Sequence, residues 1–540
     1  MQLTRFSSGI FFAILSLTLH AQTVFHPGTT LTAEQSANTS AADSFPGQKN
    51  GNISGRNVSK VPTRTLLNAG STAKLFAHLV PWFGFGNHVD IGYNSSDILQ
   101  VQKQVADMIS RGIDGVIIDW YGRATTQHHY AYDQAAQGIM KEAEQHPGFT
   151  FAIMADAGAF RGCEQHEDGD CSPTHLLIND LNYAFRTYEN SPAYLQVNGH
   201  PVVLFFGQEQ FAIDWDKVRN QVAGEPYFVF RNASGFTADA SKGGYSWVSP
   251  FQAGQNDPSA LGYLKYFYRA ARQNGDSIPF GAAYKGFDDS IALWSQNRRM
   301  DQRCGQTWLD SVAEVRDLAA QGQDLFGIQL VTWNDYEEGT EIETGIDNCV
   351  SLRAWTRGAL LQWKVDGNPD TLDHFTVFIS QDGEHLMALT NLPASTTSLD
   401  LQSFGLPEGA YTAYVKAVGK PSLTNTMSEG ERVELTSRSD GPALSVALSG
   451  TSGDAPLHVS FGINAPDHGT APGSLQVDFG DGSGALNSES GEHIYALPGI
   501  YSMTVMVGDG GGRRSVQNFT VQVTAPATAS SGANSGKDSD

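Results

Sequence analysis

Basic side chains are scarce in this sequence. Its 540 residues carry 57 Asp and Glu against 34 Lys and Arg, a formal charge of −23. A field of that sign repels phosphate backbones and anionic lipid, so no nucleic-acid partner is expected. Long apolar runs are scarce too. The run from Ile10 to Leu19 (IFFAILSLTL) is about half of the roughly 20 residues a bilayer crossing needs, and no later segment is longer, so no membrane span is expected. Arg5 ahead of it and Leu19-His20-Ala21 behind it give residues 1–21 the form of an export signal, which points to a secreted or periplasmic protein. Cysteine is limited to Cys163, Cys171, Cys304 and Cys349. An even number in an exported chain points to disulfides. Of the possible pairings, Cys163 with Cys171 would close the acidic loop CEQHEDGDC, and Cys304 with Cys349 would tie the segment before a helix to the loop after a final barrel strand. Neither pair has the C-x-x-C spacing common in zinc sites. No metal and no organic cofactor is expected.

Residues 22–71 are rich in Ser, Thr, Asn and Gly and bury too little apolar surface to offset the entropy of ordering, which reads as a loosely docked arm. Residues 526–540 have the same character and read as a disordered tail. Over residues 72–357 short β-rich runs alternate with helical patterns, the sign of parallel strands joined by crossover helices. Strands are predicted at Lys74 to Leu79, Gly115 to Asp119, Phe149 to Ala155, Pro201 to Phe206, Tyr227 to Phe230, Tyr245 to Val248, Ile278 to Tyr284 and Phe326 to Thr332. Ser96 is the predicted cap of a helix whose Ile98, Val101, Val105, Met108 and Ile109 recur at helical steps, and a second helix is predicted over Ser311 to Ala320. Such units fit a closed (β/α)8 TIM barrel. An open doubly wound sheet would want a G-x-G-x-x-G turn after its first strand, where this chain has PWFGFG.

After residue 357 short alternating strands separated by turn residues indicate two all-β immunoglobulin-like sandwiches. Residues 358–440, with FTVFIS, HLMALTNL and AYTAYVKAV, resemble a fibronectin type III module. Residues 441–525 carry VDFGDGSG (Val477 to Gly484) and HIYALPGIYSMTVMV (His493 to Val507), which resemble the PKD module. Asp478 and Asp481 in FGDG read as turn residues, with calcium binding as the competing role.

In a (β/α)8 barrel the reactive groups sit on the loops at the C-terminal ends of the strands. There the sequence offers His78 from strand one and Trp82 just beyond it, Asp119, Trp120 and Tyr121 where strand two ends, and Asp156 where strand three ends. Glu209 follows strand four, Arg231 strand five, Trp247 lies in strand six, and Tyr284, Asp288 and Asp289 come with strand seven. Strand eight delivers Trp333, Asn334, Asp335, Tyr336, Glu337, Glu338 and Glu341. Acids ringed by Trp and Tyr suit sugars, whose faces stack on aromatic rings while their hydroxyls take directional hydrogen bonds. The bland alternatives are packing for the aromatics, a core role for His78, and structural salt links for Asp156 and Glu209. Glycosidic cleavage needs one carboxylic acid to protonate the leaving oxygen and a second carboxylate to activate water or a nucleophile. Asp335 and Glu338 can supply that pair, and the crowding of Glu337, Glu341 and Glu343 around them should raise at least one carboxyl pKa. An acidic surface loop or a calcium site is the competing reading, against which stands the position of the segment directly after strand eight.

The stretches VTWNDYEEGTEIE (Val331 to Glu343), GIDGVIIDWYG (Gly112 to Gly122) and HPVVLFFG (His200 to Gly207) resemble glycoside hydrolase families 71 and 99, endo-1,3-α-glucanases and endo-α-mannosidases of (β/α)8 fold. The resemblance implies that Asp335 and Glu338 are the two essential acids, three residues apart. It also implies a third acid at Asp114 in the G-I-D-G segment, although Asp119 stands at the strand exit. Family 71 inverts with an attacking water, whereas family 99 retains by using a hydroxyl of the substrate itself.

The sequence is therefore expected to encode a monomeric, exported, endo-acting α-glycoside hydrolase with an α-glucan or α-mannan polysaccharide as partner. An endo-1,3-α-glucanase-like enzyme is the first expectation and an endo-α-mannosidase-like retaining hydrolase the alternative. The rival from another class is a glycan-binding or adhesive surface protein whose barrel has lost catalysis.

Overall fold

The computed structural model describes residues 57–123, 127–160, 170–320, 325–381, 386–436, 441–469, 474–481, 483, 485–496, 499–509 and 513–524. The expected export signal, residues 22–56 of the arm, Cys163 and the tail from residue 526 lie outside them. Among the described residues no helix is long and apolar enough to cross a membrane.

The strands are β1 (Lys74–Leu79), β2 (Gly115–Trp120), β3 (Thr150–Asp156), β4 (His200–Phe206), β5 (Tyr227–Arg231), β6 (Ser241–Tyr245), β7 (Ile278–Tyr284) and β8 (Gly327–Val331). Each pairs in parallel with the next. β8 returns to β1 in the register Lys74↔Gly327 to Ala77↔Leu330, so the sheet closes into an eight-stranded TIM barrel. Strands covered on both faces need no polar side, and β2 is accordingly buried along its whole length.

The crossovers carry α1 (Ile98–Ser110), α2 (Gln127–Ala143), α3 (Pro173–Ala184), α4 (Trp215–Gln221), α5 (Leu261–Gln273) and α6 (Gln306–Ala320). The β5 to β6 connection is a short 3₁₀ segment, Ala233–Thr237. The cap of α1 is Asp97, whose carboxylate accepts from the Leu99 N–H at 3.0 Å, rather than Ser96, whose hydroxyl donates to Asn94. β6 also departs from expectation, running through SKGGY instead of Tyr245 to Val248. A Cβ on Gly243 would stand 2.1 Å from the Ile278 carbonyl oxygen, and one on Gly244 3.1 Å from the Phe236 ring. Close approach demands glycine there, and the strand loses the apolar pattern that would reveal it.

Two β-sheet regions follow. In the first, a sheet of Ser351–Arg357, Leu360–Asp366 and Ser398–Asp400 packs its Leu361 and Trp363 against Phe375, Val377 and Val415 of the sheet built on Leu372–Ser380 and Gly409–Gly419. Because Ser351–Arg357 pairs with Leu360–Asp366, this region begins before residue 358. The second encloses Val459, Phe461, Phe479, Tyr495 and Met503.

The β-regions are fastened to the barrel and to each other. Leu423 is part of the barrel core, the Trp308 indole donates to the Pro421 carbonyl at 3.0 Å, and Ile346 bridges to Leu423. The disulfide Cys304–Cys349 joins the start of α6 to the segment after β8, as the sequence suggested. Cys171 is also disulfide-bonded. The end of the supposed arm is ordered: Val58 bridges to Thr424, and Arg64 reaches Asp114. Met506 of the last region enters the core of the one before it, and the Arg514 guanidinium lies over the Phe404 ring.

Candidate active site

Side chains alternate along a strand, so neighbours at a strand exit part company. Asp119 takes the barrel side of β2. Trp120 takes the other, where its indole donates to Asp133 at 3.0 Å and its ring stacks on Tyr183. Asp133 also accepts from the Tyr183 and Tyr188 hydroxyls, which makes this a satisfied polar node between barrel and helices. The sequence placed Trp120 at the site; the structure gives it a packing role.

The strand-eight loop sorts its five carboxyls. The Glu337 side chain is 1% exposed, with Oε2 2.6 Å from His88 Nδ1 and Oε1 accepting from the Val89 N–H. Glu341 is equally buried, 2.6 Å from the Lys285 ammonium. Glu343 accepts from the Tyr93 and Tyr336 hydroxyls and from Gln104. These three brace the loop against its surroundings.

Asp335 and Glu338 are held differently. The Asp335 N–H donates to Thr332 Oγ1, and Asp335 Oδ1 accepts from the N–H groups of Glu337 and Glu338, at 3.1 and 3.0 Å. Burial, then the Glu338 charge, push the Asp335 carboxyl well above the usual carboxylate range. Glu338 keeps 19% of its side chain exposed. Its Oε1 accepts from the Trp294 indole at 3.4 Å and lies 3.7 Å from Arg298 Nη2. Burial pushes Glu338 up to about 7, with Arg298 and Trp294 pulling it down and Asp289 and Glu337 adding repulsion.

Asp119 completes the arrangement. It is buried, its Oδ1 has no hydrogen-bond partner among the described residues, and its carboxyl is raised first by burial and then by Asp156, Asp335 and Glu338. Four acids from the exits of β2, β3 and β8 thus share one field. Four charges cannot all persist in such surroundings. Asp335 Oδ1 has two N–H donors, yet its carboxyl, like that of Asp119, stays raised well above the usual carboxylate range, so the cluster holds protons in common.

Aromatic rings frame the acids. Trp82 stacks on His88 at 4.8 Å and meets Tyr121 and Trp294 edge-on. Tyr121 has its hydroxyl raised by burial and then by Asp156 and Asp119. Trp247 lies two residues beyond β6 and contacts His78 and Phe206, joining strands across the barrel. His78 is buried without a partner on Nδ1 among the described residues, and burial lowers its pKa to about 3, so it is a neutral imidazole.

Other expected site residues have partners within the fold. Trp333 is fully buried under the Arg111 guanidinium, 4.8 Å from the ring centroid. Asn334 clamps Val80, accepting from its N–H and donating to its carbonyl. Tyr284 is buried and donates to the Ser259 carbonyl at 2.8 Å. Asp288 pairs with Arg299, and half-exposed Glu209 pairs with Arg231. Asp114 stands at the opposite end of β2 from Asp119, taken up by Arg64 and the Leu75 N–H. A turn-and-anchor role fits it there. Asp481 is likewise spent on structure, 2.6 Å from His493 Nε2, and among the described residues no group of three or more potential ligands could hold a metal ion.

Trp294, Arg298, His88 and Lys285 escaped the sequence reading. A Trp and an Arg in the loop after strand seven were the available signal, hidden because both lie well beyond the strand end at Tyr284.

Residues 440–523 match the PKD domain family, in agreement with the FGDG and H-x-Y-x-x-P-G-x-Y segments. The chain matches none of the curated proteins.

Proposed function

We propose that the protein is an exported glycoside hydrolase that cleaves α-linked polysaccharide internally, with Glu338 as general acid and Asp335 as general base or its equivalent. The observation that carries this reading is the acid cluster at the strand exits, in which Glu338 sits near 7 and faces neighbours that cannot ionise freely. A general acid working near neutrality needs that value. The glycosidic C–O bond breaks with its electron pair going to the leaving oxygen, which takes the proton of Glu338. Asp335 activates the attacking water, or the hydroxyl of the substrate that replaces it. Buried polar atoms at the same end, Asp119 Oδ1, His78 Nδ1 and Trp82 Nε1, lack partners among the described residues. They suit a ligand that carries many hydroxyls. The leader-like residues 1–21 and the Cys304–Cys349 disulfide support export.

The test is parallel digestion of purified α-1,3-glucan, α-mannan and α-1,4-glucan with anomer-resolved product analysis, using the parent and Glu338→Gln. Release by the parent and a loss of at least about 100-fold in the variant are expected. Undiminished release by Glu338→Gln, or binding of glycan without release by the parent, overturns the reading; the second result favours the adhesive protein.

A further inference from the structure

Beyond β7 the chain folds a small hairpin in which Phe287–Asp288 pairs with Arg299–Met300. Its tip is organised by one carboxylate. Asp289 accepts from the N–H groups of Gln296 and Arg298, from the Ser295 hydroxyl and from Arg298 Nε. The base of the hairpin is bonded to the strand-eight loop, the Asp288 N–H donating to the Glu338 carbonyl at 2.8 Å. The hairpin is therefore held in register with Glu338.

Two hairpin side chains reach the Glu338 carboxyl. Arg298 is mostly covered, its guanidinium over the rings of Phe251 and Phe287. Trp294 is different: its N–H donates to Glu338 Oε1, its ring meets Trp82 and His88 edge-on at 6.4 and 5.9 Å, and 41% of the residue stays exposed. Trp82, by contrast, is 5% exposed.

We infer that Trp294 is the stacking platform for the sugar on the leaving-group side of the scissile bond, and that the Asp289-centred hairpin presents it. The inference rests on the reading of Glu338 as the acid. The acid's proton goes to the glycosidic oxygen, and that oxygen remains with the leaving sugar. The leaving sugar therefore lies beside whatever already touches Glu338, and Trp294 offers it an open aromatic face. Engagement of Oε1 by the indole leaves Oε2 to deliver the proton.

The experiment compares the parent with Trp294→Ala, Trp294→Phe and Glu338→Gln. Substrates are α-1,3-gluco-, α-1,4-gluco- and α-manno-oligosaccharides of graded length, with glycosyl fluorides carrying the same donor sugars. A fluoride departs as an anion with no sugar on the leaving side and little need of an acid. In Trp294→Ala the ratio of kcat/KM on oligosaccharide to kcat/KM on fluoride should fall at least 10-fold, through a rise in KM. In Trp294→Phe, which keeps the ring but loses the donor to the Glu338 carboxylate, the ratio should stay within about 3-fold of the parent while the basic limb of the pH profile moves to higher pH. An unchanged ratio in Trp294→Ala, or equal losses on both substrate types, overturns the platform. Full oligosaccharide activity in Glu338→Gln overturns instead the acid assignment beneath it, so the two failures are told apart.

Discussion

The acids at the start of the barrel strands and the central acids at their exits are held differently. At the end where the strands begin, Asp114 has Arg64 and the Leu75 N–H, and Asp107 has Arg111 and Lys60. At the end where they finish, burial raises Asp119, Asp335 and Glu338, with Asp335 and Glu338 adding to the rise at Asp119 and Glu338 to that at Asp335. Neutralised acids hold a fold together, whereas under-neutralised ones store a capacity to give and take protons. Glu189 is the informative exception at the first end. It is buried with neither oxygen partnered among the described residues, and burial pushes it up to about 8. Among the described residues no second acid contributes to its rise, so it reads as a cost to stability rather than as a site.

Substitution at the crowded end should cost activity and leave stability intact. Asp335→Asn and Asp119→Asn are expected to lower kcat by about 100- to 1,000-fold while the melting temperature holds or rises, since each amide replaces a carboxyl whose ionisation burial opposes. A fall in melting temperature with activity retained would move these residues to the structural class and erase the contrast. The pH profile sharpens it. With Glu338 at about 7, kcat/KM should decline as pH rises through 7, approaching tenfold per unit above it. A rate flat up to pH 9 would remove Glu338 from the role of acid.

At the other end the effects should appear in stability alone. The folded pKa of Glu189 lies above its unfolded value, so the folded chain retains a proton that the unfolded chain releases. Stability contributed by this group is therefore complete below about 4.5 and declines as pH rises to about 8, by roughly 3 kcal/mol at pH 7. Glu189→Gln should flatten the fall of denaturation midpoint between pH 5 and 8, with kcat unchanged. A parallel fall in both proteins would show that the carboxyl is ionised in the folded state. The smallest effect is expected for Asp114→Ala, about 1–2 kcal/mol, because Arg64 and Asp114 are each partly exposed and water takes up much of what the pair loses. If kcat fell 100-fold there, Asp114 would belong with the catalytic acids after all.

Much of this architecture is legible as pattern. Runs such as GVIIDW and HPVVLFF declare strands buried on both faces, and FGDG with H-x-Y-x-x-P-G-x-Y marks the last β-region. β6 hides because the close packing of Gly243 and Gly244 removes the side chains that would announce it. At the site, the sequence brings out the acids of the strand-eight loop but not their division of labour. Glu337 and Glu338 are adjacent and chemically identical, and what separates them is His88 on one and Trp294 on the other. Both partners come from distant segments whose spacing carries no signal.

What the sequence determines alone is the set of local periods: alternating helix and strand, a carboxyl-rich loop after the last barrel strand, and turn chemistry in the β-regions. These are short-range properties of the chain. Only the closed barrel decides which carboxyls are matched by a close cation and which are buried beside other acids. That outcome depends on contacts between residues hundreds of positions apart, such as His88 with Glu337, and on how much water the packing excludes around each one.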